Sequence, residues 1–314
     1  MTKAPEIVGD KWYNFKPLTK ENLQGKIILY DFWTYSCVNC LRSLPHLKDW
    51  WGKYKDKGLI IIGIHTPEFE FEKNPENINK AIKDLKIDWP VVLDNENLNW
   101  NNFGNQFWPA KYLADRNGNI VLTHFGEGSY EEIEKQIQNL LELKESSKPQ
   151  ISKEAHEHGA TCFKATPELY CGYKRGKIPN PGGYHYDHIA NYELPDPIKE
   201  NSIALKGRFF AGPEYVESFG PDSKLIVNFD ATEVNLVMEP VLEDAVVKII
   251  FNDEELLTEI KGKDIKQNSE VIVTEPRMYN LLKNESHIKG TLKIVPIEGN
   301  FRAYAFTFSG CIKK

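Results

Sequence analysis

The stretch YDFWTYSCVNC, from Tyr30 to Cys40, decides the fold of this chain, because an apolar, strand-like run ends there in two closely spaced cysteines. The run KIILYDFW at residues 26–33 has the β-branched and aromatic composition of a buried strand. After Cys40, leucines and aromatic residues recur at spacings of three and four as far as Gly58, which predicts an amphipathic helix bent at Pro45. The cysteine pair is therefore predicted at a strand-to-helix junction.

Strand-like and helix-like segments alternate through the rest of the first half. Two more buried strands, LIIIGIHT at 59–66 and PVVLD at 90–94, enclose the helical period NPENINKAIKDLKI. The Asn-Gly turn between AKYLAD and IVLTHFGEG predicts a β-hairpin, and a last helix follows at 129–144. This order predicts one α/β domain over residues 1–146.

The second half of the chain has a different pattern. The polar stretch KESSKPQISKEAHEHGA and the Gly-, Pro- and Tyr-rich residues after it predict a linker and irregular connecting segment at 147–204. From Leu205 onward, short β-rich runs are separated by turn residues, which predicts an all-β, jelly-roll-like sandwich over 205–314.

Composition and charge exclude several classes of protein. Hydrophobic residues make up 41% and charged residues 27% of the chain, which is typical of a globular protein. The net charge is -6 and the lysines are scattered among acids, so no nucleic-acid partner is predicted. Apolar runs such as LIIIGI are far too short to span a membrane. No apolar segment follows Lys3, so a native start at Met1 predicts a cytoplasmic location.

The chemistry of the cysteine pair follows from its predicted position. At a helix N-terminus, unpaired backbone N–H groups and the helix dipole favour the thiolate form of Cys37. Cys40, one turn further on, is placed to attack a mixed disulfide formed at Cys37. This spacing predicts a thiol-disulfide oxidoreductase that needs no prosthetic group beyond a Cys37–Cys40 disulfide.

Other uses of the cysteines and histidines have less support. A zinc site needs two more ligands and no second C-x-x-C is present, so no metal is predicted, and the histidines of HEH and HYDH are read as polar surface residues. Cys162 and Cys171 are close enough in sequence to form a disulfide, whereas Cys171 alone reads as a small buried hydrophobic residue. Cys311 has no predicted partner.

These motifs resemble the thioredoxin superfamily. Asp31 lies six residues before Cys37, the spacing at which thioredoxins keep a buried acid that relays a proton to and from the resolving thiol. Pro45 falls where thioredoxins kink the active-site helix. The segment WPAKYLADRNGNIV is similar to the cis-proline segment of the family, which implies a cis peptide bond before Pro109 that positions the substrate.

Within this superfamily, DFWTYSCVNC, LPHLKDWW and GIHTPEFEFEK look like the DipZ-like proteins of the TlpA/ResA branch. The segment ATPELYCGYKRG also resembles one that follows the redox domain in those proteins. The resemblance implies an extracytoplasmic protein with a C-terminal β-sandwich like a carbohydrate-binding module. It further implies cysteine-containing protein substrates, a membrane electron donor of the CcdA type and a glycan ligand on the sandwich.

The resemblance also adds an acid that takes part in thiol protonation. In the TlpA/ResA branch such an acid follows the second strand, and Glu68 in HTPEFEFE is the best positional match. Glu70 and Glu72 are rival candidates in the same segment.

An apolar rim for substrate is expected around the pair. Trp33, Trp108 and Phe69 should gather there, although each could equally belong to the core. Ser36, directly before Cys37, replaces the tryptophan of thioredoxin. The alternative function is a binding protein whose sandwich recognises a glycan or protein partner while the redox pair is secondary. Rings available for sugar stacking are those of Tyr173, Tyr184, Tyr186, Tyr192, Phe209 and Tyr215.

Overall fold

The computed structural model describes residues 2–143, 161–162 and 164–312. The chain divides into two compact units, Met1–Glu157 and His158–Lys314, and each is described by itself. None of the helices in the described part of the chain has the length and apolar character required to cross a membrane.

The first unit is an α/β domain built on a six-stranded sheet. Its strands are β1 (Trp12–Tyr13), β2 (Ile27–Trp33), β3 (Leu59–His65), β4 (Val91–Leu93), β5 (Ala110–Ala114) and β6 (Ile120–Phe125), in the order β1-β4-β3-β2-β5-β6. Strands β2, β3 and β4 are parallel, whereas β1, β5 and β6 pair antiparallel. Its helices are α1 (Lys20–Leu23), α2 (Val38–Tyr54), α3 (Pro75–Asp84), α4 (Leu98–Asn102) and α5 (Tyr130–Leu140), with 3-10 turns at Lys55–Lys57 and Glu70–Lys73. The predicted alternation and the β5–β6 hairpin are confirmed.

Strand β2 lies inside the sheet and all seven of its residues are buried. Because side chains alternate across a strand, Leu29 and Trp33 pack into the core formed with α2, α3 and α5. Tyr30 and Phe32 point to the opposite core, which α4 helps to cover. Asp31 has the same parity as Leu29 and Trp33 and therefore faces the layer that contains α2.

Helix α2 carries the cysteine pair and is held down by its apolar face. Leu44, Leu47, Trp50 and Tyr54 are buried at helical spacing, and each such side chain contributes about 1.5–3 kcal/mol. Pro45 lies inside the helix, as predicted.

The second unit is all-β, as predicted. Its strands are β7 (Thr161–Cys162), β8 (Leu169–Tyr170), β9 (Ile189–Tyr192), β10 (Ser202–Ala211), β11 (Val216–Ser218), β12 (Lys224–Phe251), β13 (Glu254–Glu255), β14 (Glu270–Val273), β15 (Arg277–Ser309) and β16 (Cys311–Ile312). The pairings between these strands are antiparallel, and an isolated parallel bridge joins Tyr186 and Ala211. A 3-10 turn occurs at Thr258–Ile260.

The two long strands β12 and β15 build most of this unit by pairing with each other more than once. A shift in register between Ala231 and Glu233 marks a bulge in β12. Before the bulge, β12 pairs with residues 288–294 of β15. After it, residues 233–241 pair with 277–283 and 300–309, and residues 246–251 pair with 292–298. Apolar side chains from both parts share one core, which gives the sandwich character expected from the sequence.

The predicted domain boundary at residue 205 lies too far along the chain. Strand β8 pairs with β15, β9 pairs with β10, and Cys171 is buried in the core of the second unit. The side chain of Asn180 accepts the N–H of Leu205 (3.0 Å) and donates to its carbonyl (2.7 Å). These strands are too short to show a sequence period, so their place in the sheet was missed. Residues 147–160 of the predicted linker lie outside the described residues.

Candidate active site

The cysteine pair lies at the start of α2. Cys37 is the N-cap residue, and its Sγ accepts a hydrogen bond from the N–H of Cys40 at 3.2 Å. Both are free cysteines, Cys37 partly exposed and Cys40 only 2% exposed. The first turn of a helix has N–H groups without a partner inside the helix, and the N–H of Cys40 is one that finds its acceptor in the Cys37 sulfur.

Cys40 is held in its neutral form by its surroundings. Burial raises the pKa of the Cys40 thiol well above its usual value, and the neighbouring Cys37 and Asp31 raise it further. A base must therefore take the proton of Cys40 before its sulfur can act as a nucleophile.

Asp31 and Lys111 form a buried ion pair beside Cys40. The two residues are opposite each other on β2 and β5, and Lys111 Nζ lies 3.1 Å from Asp31 Oδ1. They are 2% and 1% exposed. Burial raises the pKa of Asp31, and the charge of Lys111 opposes that shift. Lys111 was missed from the sequence, although a lysine inside the buried strand AKYLA, two residues after Pro109, was a signal for it.

The buried acid after β3 is Glu72, one of the two rivals to Glu68 in the sequence prediction, and the role of Glu68 in thiol protonation stays a prediction. Glu72 Oε1 accepts the hydroxyls of Thr34 (2.5 Å) and Ser36 (2.6 Å). Its Oε2 accepts the backbone N–H groups of Glu68 (2.6 Å) and Phe69 (3.0 Å). The 3-10 turn folds Glu72 back into the interior, whereas the Glu68 side chain is partly exposed. Ser36, predicted to contact substrate, is buried and held by Glu72.

Glu72 can change its charge near neutral pH. Burial raises its pKa to about 7, although the hydroxyls of Ser36 and Thr34 and the N–H of Phe69 favour the ionised form. His65 lies in the same network, with Nε2 3.3 Å from Thr34 Oγ1, and burial lowers the pKa of His65 to about 3. The His65 imidazole is therefore neutral at physiological pH. Of His65 and Glu72, only Glu72 changes its charge near neutral pH.

The Trp108–Pro109 segment directly precedes β5, and Trp108 packs against the same core cluster as Cys37. Its peptide bond is cis, the arrangement that the sequence resemblance implied. Trp108 Nε1 donates to the carbonyl of Thr66 (3.0 Å), and the N–H of Gly126 donates to the carbonyl of Pro109 (2.7 Å). Pro109 is buried and Trp108 is partly exposed, so Trp108 is the part of this segment that a substrate can reach.

The exposed aromatic residues differ from those predicted. Trp33 and Phe69 are 1% and 3% exposed, so they belong to the interior rather than to a docking rim. Trp33 faces inward because of its parity in β2. Phe107 and Phe125 are instead 49% and 48% exposed, and their ring centroids lie 5.1 Å apart. This pair adjoins Trp108 and the β5–β6 hairpin.

In the second unit, Cys171 is a free, fully buried cysteine, which fits the prediction of a small hydrophobic residue. The backbones of Cys162 and Cys311 are paired on β7 and β16, and their side chains lie outside the description. Among the rings considered for sugar stacking, Tyr192 and Phe209 are buried, whereas Tyr186 is 60% exposed. Glycan binding stays a prediction.

Comparison with known proteins gives two family matches along the chain. Residues 2–123 match the AhpC/TSA family, and residues 166–309 match the family described as thioredoxin like C-terminal domain. Protein DipZ of Mycobacterium tuberculosis is 40% identical over 243 residues, which cover 75% of this chain and 35% of DipZ. The chain thus spans about a third of the length of that relative.

Two shorter proteins match the first unit. The thiol-disulfide oxidoreductase YkuV of Bacillus subtilis is 30% identical over 139 residues, which cover 44% of this chain and 93% of YkuV. The structure of a thiol-disulfide isomerase from Corynebacterium glutamicum aligns with a TM-score of 0.41 and 23% identity, over 45% of this chain and 98% of that one. The fold of the first unit and its sequence relatives define the class of thioredoxin-like proteins. The chain belongs to the TlpA/ResA-like branch of the thioredoxin superfamily, close to DipZ.

Proposed function

We propose that this protein is a thiol-disulfide oxidoreductase that exchanges electrons with the cysteines of other proteins through Cys37 and Cys40. The observation that carries the proposal is the hydrogen bond from the N–H of Cys40 to Cys37 Sγ at the N-cap of α2. It places a partly exposed sulfur where an anion is stabilised and a second sulfur one turn away. Membership of a family that contains YkuV supports the same reaction.

In the reducing direction, the Cys37 thiolate attacks one sulfur of a substrate disulfide. A mixed disulfide forms and the other substrate sulfur leaves as a thiolate, which takes a proton from solvent. The Cys40 thiol then loses its proton to the Asp31 carboxylate and attacks Cys37 Sγ. The second substrate sulfur is released, and two electrons have passed from the cysteine pair to the substrate. The oxidising direction reverses these steps.

The ion pair between Asp31 and Lys111 supports Asp31 as the proton acceptor in this scheme. Burial favours neutral Asp31, whereas a base for Cys40 must be ionised. The ammonium group of Lys111, 3.1 Å away, stabilises the carboxylate and so keeps a share of Asp31 in the active form. Lys111 is thereby a positioning residue for the proton transfer.

The test is the reduction of insulin disulfides with dithiothreitol as the electron source. Wild type should accelerate the reaction, Cys37→Ser should abolish the acceleration, and Cys40→Ser should accumulate a mixed disulfide with the substrate. Cys171→Ala is the matched control, because Cys171 is a cysteine of the second unit and its loss should leave the rate unchanged. Equal rates for wild type and Cys37→Ser would refute the proposal.

We further propose an extracytoplasmic location and a CcdA-type membrane protein as electron donor, on the similarity to DipZ. Alkylation trapping in cells with and without such a donor tests this. Loss of the donor should shift Cys37 and Cys40 to the disulfide form, and an unchanged thiol fraction contradicts the assignment.

A further inference from the structure

Thr66, the first residue after β3, links the end of β2 to the Trp108–Pro109 segment. Its N–H donates to the carbonyl of Trp33 at the end of β2 (3.1 Å), and its carbonyl accepts Trp108 Nε1–H (3.0 Å). Its hydroxyl donates to Asp94 Oδ2 (3.0 Å). Thr66 is fully buried, so water does not compete for these three bonds.

Asp94, the first residue after β4, supports the Trp108 ring from two sides. Besides the Thr66 hydroxyl, its Oδ2 accepts the N–H of Trp100 (2.9 Å). Its Oδ1 accepts the N–H of Asn99 (2.8 Å) and the Asn99 amide (3.2 Å), and these bonds fix the start of α4. The Trp100 ring packs against Trp108 with centroids 4.1 Å apart. One buried carboxylate thus holds both the hydrogen-bond acceptor and the packing partner of Trp108.

We propose that Asp94, acting through Thr66 and Trp100, is a positioning residue that fixes Trp108 as the docking edge for an extended, cysteine-containing polypeptide substrate. The inference rests on the proposed function and names the groups that set its substrate binding. No hydrogen bond of Asp94 or of the Thr66 side chain described above reaches Cys37 or Cys40. The pair Asp94–Thr66 therefore controls docking and leaves the thiol chemistry unchanged.

A small dithiol separates docking from chemistry, because it reacts at Cys37 without needing a long contact surface. Thr66→Val removes only the hydroxyl that Asp94 accepts and keeps the backbone bonds of Thr66. We expect the KM for insulin to rise roughly 3- to 10-fold with kcat unchanged, which is less than the full effect of losing a hydrogen bond to a charged group because the loss reaches the substrate only through Trp108. The rate constant for dithiothreitol reducing the oxidised protein should stay within about twofold of wild type. Thr258→Val, the same change at an exposed site of the second unit, is the matched control.

A double-mutant cycle tests whether Thr66 acts through Trp108. Trp108→Phe removes the Nε1–H donor and should raise the KM for insulin in the same way. Because both changes release the same ring, their combined effect on KM should be smaller than the product of the single effects. Near-ultraviolet circular dichroism checks that each variant is folded. If Thr66→Val does not fold, the KM of Trp108→Phe alone is the test.

The possible results are distinguishable. An unchanged KM, an equal loss with insulin and dithiothreitol, or multiplicative effects in the cycle each overturn the inference while wild type remains active. A wild type that fails to reduce insulin refutes the proposed function itself, and the inference with it.

Discussion

Lys111 Nζ lies 3.1 Å from Asp31 Oδ1, and the two side chains face each other across β2 and β5 in the interior of the redox unit. A buried charge is costly when it is alone, so each member of this pair depends on the other. The charge of Asp31 also raises the pKa of the Cys40 thiol, so the ion pair can affect the proposed proton transfer. Removing the lysine should therefore make the Asp31 carboxylate harder to ionise and change the pH dependence of the reaction.

Replacing Lys111 by Met tests this. Without the ammonium group, the pKa of Asp31 should rise further, because the interaction that lowers it is lost. A smaller fraction of Asp31 is then ionised at neutral pH, and we expect kcat for insulin reduction to fall roughly tenfold at pH 7 and to recover as the pH increases. The pH–rate profile measures it. Asp31→Asn should remove the recovery of kcat at higher pH. If the acidic limb of the pH–rate profile is not shifted in Lys111→Met, the proposed role of Lys111 is contradicted.

Glu72 should make stability depend on pH. Its pKa is raised from 4.5 to about 7 by burial, so the folded state binds a proton more tightly than the unfolded state. The resulting stabilisation is fully present below pH 4.5 and is lost as the pH rises through 7. Relative to Glu72→Gln, the free energy of unfolding of wild type should fall by about 3 kcal/mol across this window.

Urea denaturation of wild type and Glu72→Gln at several pH values measures that difference. It should be constant above about pH 8, where Glu72 is ionised in both states. A difference independent of pH between 4.5 and 7 shows that Glu72 titrates normally and disproves this account.

The accessibility of the thiols gives a third prediction. Cys40 and Cys171 are buried, and burial raises the pKa of both thiols. Iodoacetamide at neutral pH should therefore label Cys37 well over tenfold faster than either. Peptide mapping by mass spectrometry compares the three sites. Unfolding in urea should equalise them, and comparable labelling of Cys40 in the folded protein is incompatible with this site.

The corrected boundary of the second unit predicts a stability effect of Asn180. Its side chain bonds both backbone groups of Leu205 and donates to the carbonyl of Glu193 (2.8 Å). Asn180→Ala leaves these buried groups unpaired and should lower the free energy of unfolding of the second unit by about 2–4 kcal/mol. The matched control Asn191→Ala removes an exposed asparagine and should cost less than about 0.5 kcal/mol.

Insulin reduction by Asn180→Ala should match wild type, because the substitution lies in the second unit. If Asn180→Ala and Asn191→Ala unfold alike, residues near 180 do not belong to the cooperative core of that unit.

Local sequence determined the redox junction. The run through Asp31 and Trp33 is apolar enough to be a buried strand. The helical spacing of apolar residues after the two cysteines places Cys37 at a helix N-terminus, where the structure has it. These features depend on residues close together in the chain, so the pattern of side chains was sufficient to find them.

Only the tertiary structure decided which distant groups meet at that junction. Lys111 reaches Asp31 because β5 pairs with β2, and Asp94 reaches Trp108 because Thr66 lies between them. Glu72 rather than Glu68 is buried because a 3-10 turn reverses the chain there. Strand pairing and turn geometry arise from the packing of the whole unit, and that packing has no local periodic signature in the sequence.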